Sequence, residues 1–233
     1  MKNIVLFILM MLPVAVFGQK DITTFLGIPV DGTKNAMISK LTQKGFKKAA
    51  PGKTYDLIGE FNGEDVQLTI VTYKNKVWRI MVSDKNPCSE IDVRIRFNRL
   101  VDQFSKSDKY VTANFMEADS YFLDEDEDIS SGISLFHKRY EAVFYQQPDI
   151  SLIDTLKVQN EIKSKLIRKF GEQRVLHADE DVKNEAIKES LYYFADIINK
   201  KSVWFMISGI GYNKYSINLY YDNEYNHTTD SDL

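Results

Sequence analysis

The sequence predicts an α+β fold: antiparallel sheet with helices packed on its faces, in one piece or as two similar α+β halves. Three observations carry this expectation. Stretches 34–44, 89–106 and 151–170 repeat their apolar residues at helical spacing. Between and after them run segments of alternating apolar and polar residues, joined by turns such as Asn62-Gly63 and Lys74-Asn75. No Pro-, Gly- or Ser-rich linker divides the chain, which predicts one domain over 19–233 or two intimately packed halves, about 19–108 and 109–233.

The first segment belongs to targeting and not to the fold. Met1-Lys2-Asn3 is a short basic start, and Ile4 to Phe17 is an apolar run broken only by Pro13. A bilayer-spanning helix needs about 20 apolar residues, so this run has the length of a secretory leader. Val16 and Gly18 at the −3 and −1 positions place the expected cut before Gln19, giving an exported chain, periplasmic or extracellular. No Cys follows the apolar run to accept a lipid, so no membrane insertion is expected after cleavage.

Gly27 to Thr33 is rich in turn formers, and Asp31 or Thr33 is the expected N-cap of the helix over 34–44. Met37, Ile38 and Leu41 share one face of it, and Gly45-Phe46 supplies the glycine and following apolar residue of a Schellman stop. Thr54–Phe61, Val66–Tyr73 and Lys76–Ser83 then read as a three-stranded meander. Ser89 and Asp92 open the second helix, whose Val93, Phe97, Leu100, Val101 and Phe104 fall on one face. Its other face carries Arg94, Arg96 and Arg99 and reads as solvated surface, the sharper alternative being an anion site.

Strands are expected at Tyr110–Met116, Gly132–His137 and Tyr140–Tyr145, and a long helix at Ser151–Phe170 closed by Gly171. Asn184–Asn199 fits a helix better than a strand. Ser202–Ser208 and Lys214–Tyr221 form a closing hairpin. Lys76-Val77-Trp78-Arg79-Ile80-Met81 and Ser202-Val203-Trp204-Phe205-Met206-Ile207 echo each other, through duplicated halves or through convergence on strand chemistry.

The chemistry is read mostly from what fails to match. Asp124 to Asp128 offers carboxylates at alternate positions, but a calcium loop starting there needs Gly at position six and Glu at twelve, where Ile129 and Leu135 stand. His137, His177 and His227 show no local metal spacing, no G-x-S-x-G elbow is present, and Gly209-Ile210-Gly211 leads into a strand instead of a helix. Neither a metal nor a cofactor is expected. The net charge of −3, or −4 without Lys2, does not supply the positive field of a nucleic-acid or anionic-membrane binder. The lone Cys88 of an exported chain reads as a part-buried free thiol.

Tyrosine is the compositional oddity: 13 in all, five of them between Tyr212 and Tyr225. Tyr suits half-buried sheet positions, and aromatic residues alternating on a strand also make a flat platform. Tyr212, Tyr215, Tyr220 and Tyr225 are therefore the candidate binding residues. They point to a non-catalytic module for a protein or glycan, against two alternatives: a periplasmic hydrolase whose residues meet only in space, and an envelope-assembly or structural protein. Asn226-His227-Thr228 matches the N-glycosylation pattern, which matters only in a eukaryotic secretory pathway.

The leader together with Phe25-Leu26-Gly27-Ile28-Pro29-Val30-Asp31-Gly32-Thr33-Lys34, Met37-Ile38 and Lys44-Gly45-Phe46 resembles a group of exported proteins of Bacteroides-type bacteria without known activity. Val203-Trp204-Phe205 and Tyr220-Tyr221-Asp222-Asn223-Glu224-Tyr225-Asn226 are similar to the ends of the same proteins. The resemblance implies compartment and general build, and no functional residue. A helix followed by a meander also resembles, in outline, the α+β modules of periplasmic inhibitor and assembly-factor proteins.

Overall fold

The computed structural model describes residues 21–112 and 121–227. The leader, the expected cut before Gln19, the end of the strand expected over Tyr110–Met116, and Thr228 of the glycosylation pattern lie outside the described residues. The fold is α+β. Its main feature is an eight-stranded antiparallel sheet, preceded by a small hairpin of β1 (Thr24–Phe25) and β2 (Ile28–Pro29).

In chain order the sheet strands are β3 (Lys47–Lys48), β4 (Leu57–Phe61), β5 (Glu64–Tyr73), β6 (Lys76–Asp84), β7 (Tyr110–Thr112), β8 (Glu141–Gln146), β9 (Ser202–Gly211) and β10 (Lys214–Asp222). In space the order is β3-β4-β5-β6-β10-β9-β8-β7. Two four-stranded meanders thus meet through their last strands, β6 and β10, and each meander is preceded by a helix: α1 (Lys34–Gln43) and α2 (Glu90–Ser105). The two Trp strands are not equivalent in this arrangement. Trp78 lies on the fourth strand of its meander and Trp204 on the third of the other, with β10 between them.

The local chemistry accounts for these elements. Asn62-Gly63, Lys74-Asn75 and Tyr212-Asn213 all have positive φ at both turn positions, the condition for two-residue hairpins that match strand twist. Thr33 caps α1 by accepting from Ala36 N, and the Schellman stop forms as the sequence predicts: Phe46 N donates to Leu41 O and Gly45 N to Thr42 O. Ser89 caps α2 by accepting from Asp92 N.

Both helices pack on one face of the sheet. Met37 and Leu41 of α1 and Val93, Phe97, Leu100, Val101 and Phe104 of α2 join alternate strand residues such as Leu68, Ile70, Ile80, Val82, Phe144, Phe205, Ile217 and Leu219 in a single core. Arg96 departs from the solvated face expected of α2. It is 6% exposed, and its guanidinium donates twice to the Asp84 carboxylate at 2.6 Å, so a bidentate partner on β6 carries the charge inside.

Gly132–His137, expected as a strand, contributes instead to a short helix, α3 (Ile129–Ser134). Asp128 caps it by accepting from Ser131 N, and Gly132 leaves room for the Tyr140 hydroxyl, which donates to Glu127 at 2.5 Å. Residues 148–199 form a compact unit of their own, inserted in sequence between β8 and β9, where the sequence reading assigns them to the second half. This unit holds α4 (Thr155–Phe170), α5 (Glu172–His177) and α6 (Glu180–Asn199). Ion pairs Lys165–Glu189 at 2.6 Å and Lys169–Glu185 at 2.7 Å set α4 and α6 antiparallel. No helix among the described residues is long and apolar enough to cross a membrane.

Gly132→Ala drives a Cβ into the Tyr140 hydroxyl, and a cost of about 2 kcal/mol is expected in urea denaturation. An unchanged midpoint contradicts this packing.

Candidate functional site

Strand alternation turns one face of the sheet away from α1 and α2. Register fixes what lines up across it. The central row runs Thr69, Met81, Tyr220, Trp204, Val143 from β5 to β8. The next row runs Ile58, Gln67, Ser83, Asn218, Met206, Glu141, and on the other side Val71, Arg79 and Asp222 align.

Trp204 and Tyr220 are direct cross-strand partners, and their rings stack at 3.9 Å with 14° between planes. Trp78 joins them through a bulge. Val71 pairs with Arg79 and Thr72 with Val77, so Trp78 is the extra residue and its ring comes to lie over its own neighbour, 4.2 Å from the Arg79 guanidinium. Arg79 also sits 5.0 Å from the Tyr220 ring and 5.5 Å from the Trp204 ring, so three aromatic faces surround one cation.

Asp222 holds this group in place. Its side chain is only 2% exposed. The carboxylate accepts from Arg79 Nε and Nη2 at 2.6 Å each and from Trp204 Nε1 at 2.9 Å, satisfying both oxygens. Following it, Asn223 N donates to Trp78 O and Asn226 Nδ2 to Val77 O, which ties the last described segment along β6. His227 then stacks on Trp78 at 3.9 Å, with the Tyr73 ring 5.6 Å away.

The four tyrosines singled out from the sequence do not share this face. Tyr220 is at its centre, half-buried. Tyr215 lies an odd number of residues away on the same strand and points to the core; it is 4% exposed, and its backbone exchanges both hydrogen bonds with Cys88. Tyr212 is fully exposed at the tip of the β9–β10 turn. Tyr225 occupies the 3₁₀ turn Glu224–Asn226, with Lys200 Nζ 5.1 Å from its ring. Of the residues that complete the site, Trp78, Arg79 and Trp204 stand in the echo between the two Trp strands, and Asp222 in the closing stretch Tyr220 to Asn226.

The hydrolase candidates fall on separate elements. His137 is exposed in a left-handed turn after α3, His177 ends α5 with Nδ1 2.7 Å from Gln173 O, and His227 lies on Trp78 beside Glu224 at 3.7 Å. The acidic run serves structure: Glu127 meets Lys138 and Tyr140, and Asp128 caps α3. Among the described residues no three His, Cys, Asp or Glu side chains are grouped to hold a metal ion. Burial pushes the Cys88 thiol up, away from the reactive thiolate, with Asp92 and Asp84 adding to the effect. Comparison with protein-family models, with curated proteins and with solved structures gives no match.

Glu224 is held above the usual carboxylate range by burial first and by the Asp222 charge second. The folded state therefore binds this proton more tightly than the unfolded chain, and stability falls as pH rises through the raised value. Glu224→Gln imitates the protonated form. Its thermal midpoint is expected above that of the parent near pH 7 and equal to it below about pH 4, where the Glu224 carboxyl is neutral in the folded and the unfolded chain alike. A lower midpoint at neutral pH contradicts the assigned environment.

Proposed function

We propose that the chain is an exported, non-catalytic binding module whose sheet face turned away from α1 and α2 receives a protein partner. The observation that carries this reading is the continuous group Trp78, Arg79, Met81, Tyr220, Trp204 and Met206 on three adjacent strands, β6, β10 and β9. Trp, Tyr, Arg and Met are the residue types enriched at protein interfaces, and Trp, Tyr and Arg supply most hot spots. Stacking and the Asp222 hydrogen bonds fix the rings and guanidinium before a partner arrives, which lowers the ordering cost of binding.

Export is supported by the leader-like start at residues 1–18. A glycan is the second reading. It is favoured by the polar row Gln67, Ser83 and Asn218 beside the Trp204–Tyr220 stack, an arrangement that gives a sugar ring both a flat apolar surface and hydrogen-bonding side chains.

Residues 19–233 serve as bait in a pull-down from an envelope extract and on a glycan array, beside Trp204→Ala and Tyr220→Ala. A protein captured by the parent and lost by both folded variants supports the reading, and array signals lost in the same way select the glycan. A parent that captures nothing, or variants that capture as the parent does, overturns a binding role for this face.

A further inference from the structure

The aromatic face assigned to a partner is not fully open. Trp is the residue type richest in interface hot spots, and of the two on this face one is covered. The Trp78 ring centre has the Arg79 guanidinium 4.2 Å away and the His227 ring 3.9 Å away, the latter stacked at 22°. Two planar groups so near one ring centre do not fit on the same side. They take opposite faces of Trp78 and leave its edge.

The cover comes from the segment after β10, whose two parts are held differently. Asp222 and Asn223 are 1% and 0% exposed. Asn223 N donates to Trp78 O at 2.7 Å and Nδ2 to Val30 O at 2.8 Å, so the chain is pinned to the sheet up to this point. From Glu224 to His227 every residue is half-exposed, and the 3₁₀ turn Glu224–Asn226 buries no side chain. Glu224 N donates to Lys200 O, and Asn226 Nδ2 to Val77 O and Asp31 Oδ1. The Lys200 ammonium meets the Tyr225 ring, and His227 lies on Trp78 beside Tyr73. A segment held by polar and ring contacts, with no buried apolar residue, opens at a much lower free energy than the core strand before it.

Glu224 adds a bias towards opening. Burial, then the Asp222 charge, holds its carboxyl above the usual range, and His227 and Arg79 offset part of this. Asp222 on β10, Arg79 on β6 and His227 are the charged or titratable groups that face it, while Lys200, Asp31 and Tyr73 meet the rest of the segment. The ionised carboxylate is therefore better accommodated in water than in the closed turn.

We propose that residues 224–227 form a displaceable clasp over Trp78, which a partner opens when it binds the sheet face. The clasp rests on the reading of that face as a binding surface and adds its control. Closed, the face offers Trp204 and Tyr220; open, it gains one face of Trp78. A partner that requires Trp78 binds only the open fraction of the protein, and its apparent affinity falls in proportion.

Amide hydrogen exchange on the purified chain tests the clasp without any partner. The hydrogen-bonded amides of Glu224, Asn226 and His227 are expected to open together, with protection at least about 100-fold below that of Asn223. At neutral pH Glu224→Gln raises this protection, and His227→Ala, a change at a half-exposed position that leaves the core intact, lowers it. Capture of protein from an envelope extract by the parent and the two variants tests the control. His227→Ala is expected to capture about threefold more than the parent or better, and Glu224→Gln less. Protection at 224–227 equal to that of Asn223 overturns the clasp, whatever the face binds. Capture by the two variants at the parent's level, or reduced capture by His227→Ala, overturns its control of the face. Fast exchange at 224–227 with no capture by any of the three chains overturns the reading of the face instead, and the control falls with it.

Discussion

The ion pair between Arg79 on β6 and Asp222 on β10 is the constraint on which the arrangement turns. It spans the one strand pairing that joins the two meanders, and the Asp222 side chain has almost no contact with water. A carboxylate so placed is tolerable only while its partners are in position, because an unpaired buried charge costs several kcal/mol. Those partners reach well beyond one pair. Trp204 Nε1 brings in β9, and the Thr23 hydroxyl donates to the Asp222 carbonyl from the start of the described chain. Asn223 continues the pattern, with Nδ2 on Val30 O and its own N–H on Trp78 O.

A second buried pair works on the opposite face of the same seam. Asp84, at the end of β6, takes the two hydrogen bonds of Arg96 from α2 and lies 3.4 Å from Ile217 N of β10. Buried ion pairs add little net stability relative to apolar packing, so their effect here is better sought in register. Slipping β6 by one residue along β10 moves Arg79 away from Asp222 and turns every core side chain of the strand to the face away from α1 and α2. Hydrophobic alternation and the two ion pairs therefore specify the same register. The β9–β10 pairing sets Trp204 opposite Tyr220 and the β5–β6 bulge carries Trp78 over Arg79, and the β6–β10 register brings these two groups together. Arg79 and Asp222, beside which the aromatic rings gather, are thus also the residues that fix the joining of the two meanders.

Much of this was legible in the sequence where the determinants are local. The Asn62-Gly63 and Lys74-Asn75 turns, the Gly45-Phe46 stop and the apolar face of α2 each follow from residues within a few positions of one another. What escaped depends on partners distant in the chain. Arg96 reads as surface until Asp84 is seen beneath it. Gly132 to His137 alternates like a strand, yet the Asp128 cap and the space required by Tyr140 make a helix of its first half. Tyr215 and Tyr220 were grouped by composition, whereas strand parity sends one into the core and the other outward. Trp78 and Trp204 are separated by more than a hundred residues, and no periodicity reveals that β10 lies between their strands.

The central claim is that Arg79 and Asp222 act as one unit across the meander seam. A double-mutant cycle of Arg79→Ala and Asp222→Ala, followed by urea denaturation, measures that coupling directly. Either single change is expected to cost about 3 kcal/mol by stranding the other charge, and the double little more than one single, a coupling of at least about 1.5 kcal/mol. Costs that add to within about 0.5 kcal/mol would show that the two residues are neighbours without being partners, and would contradict the account.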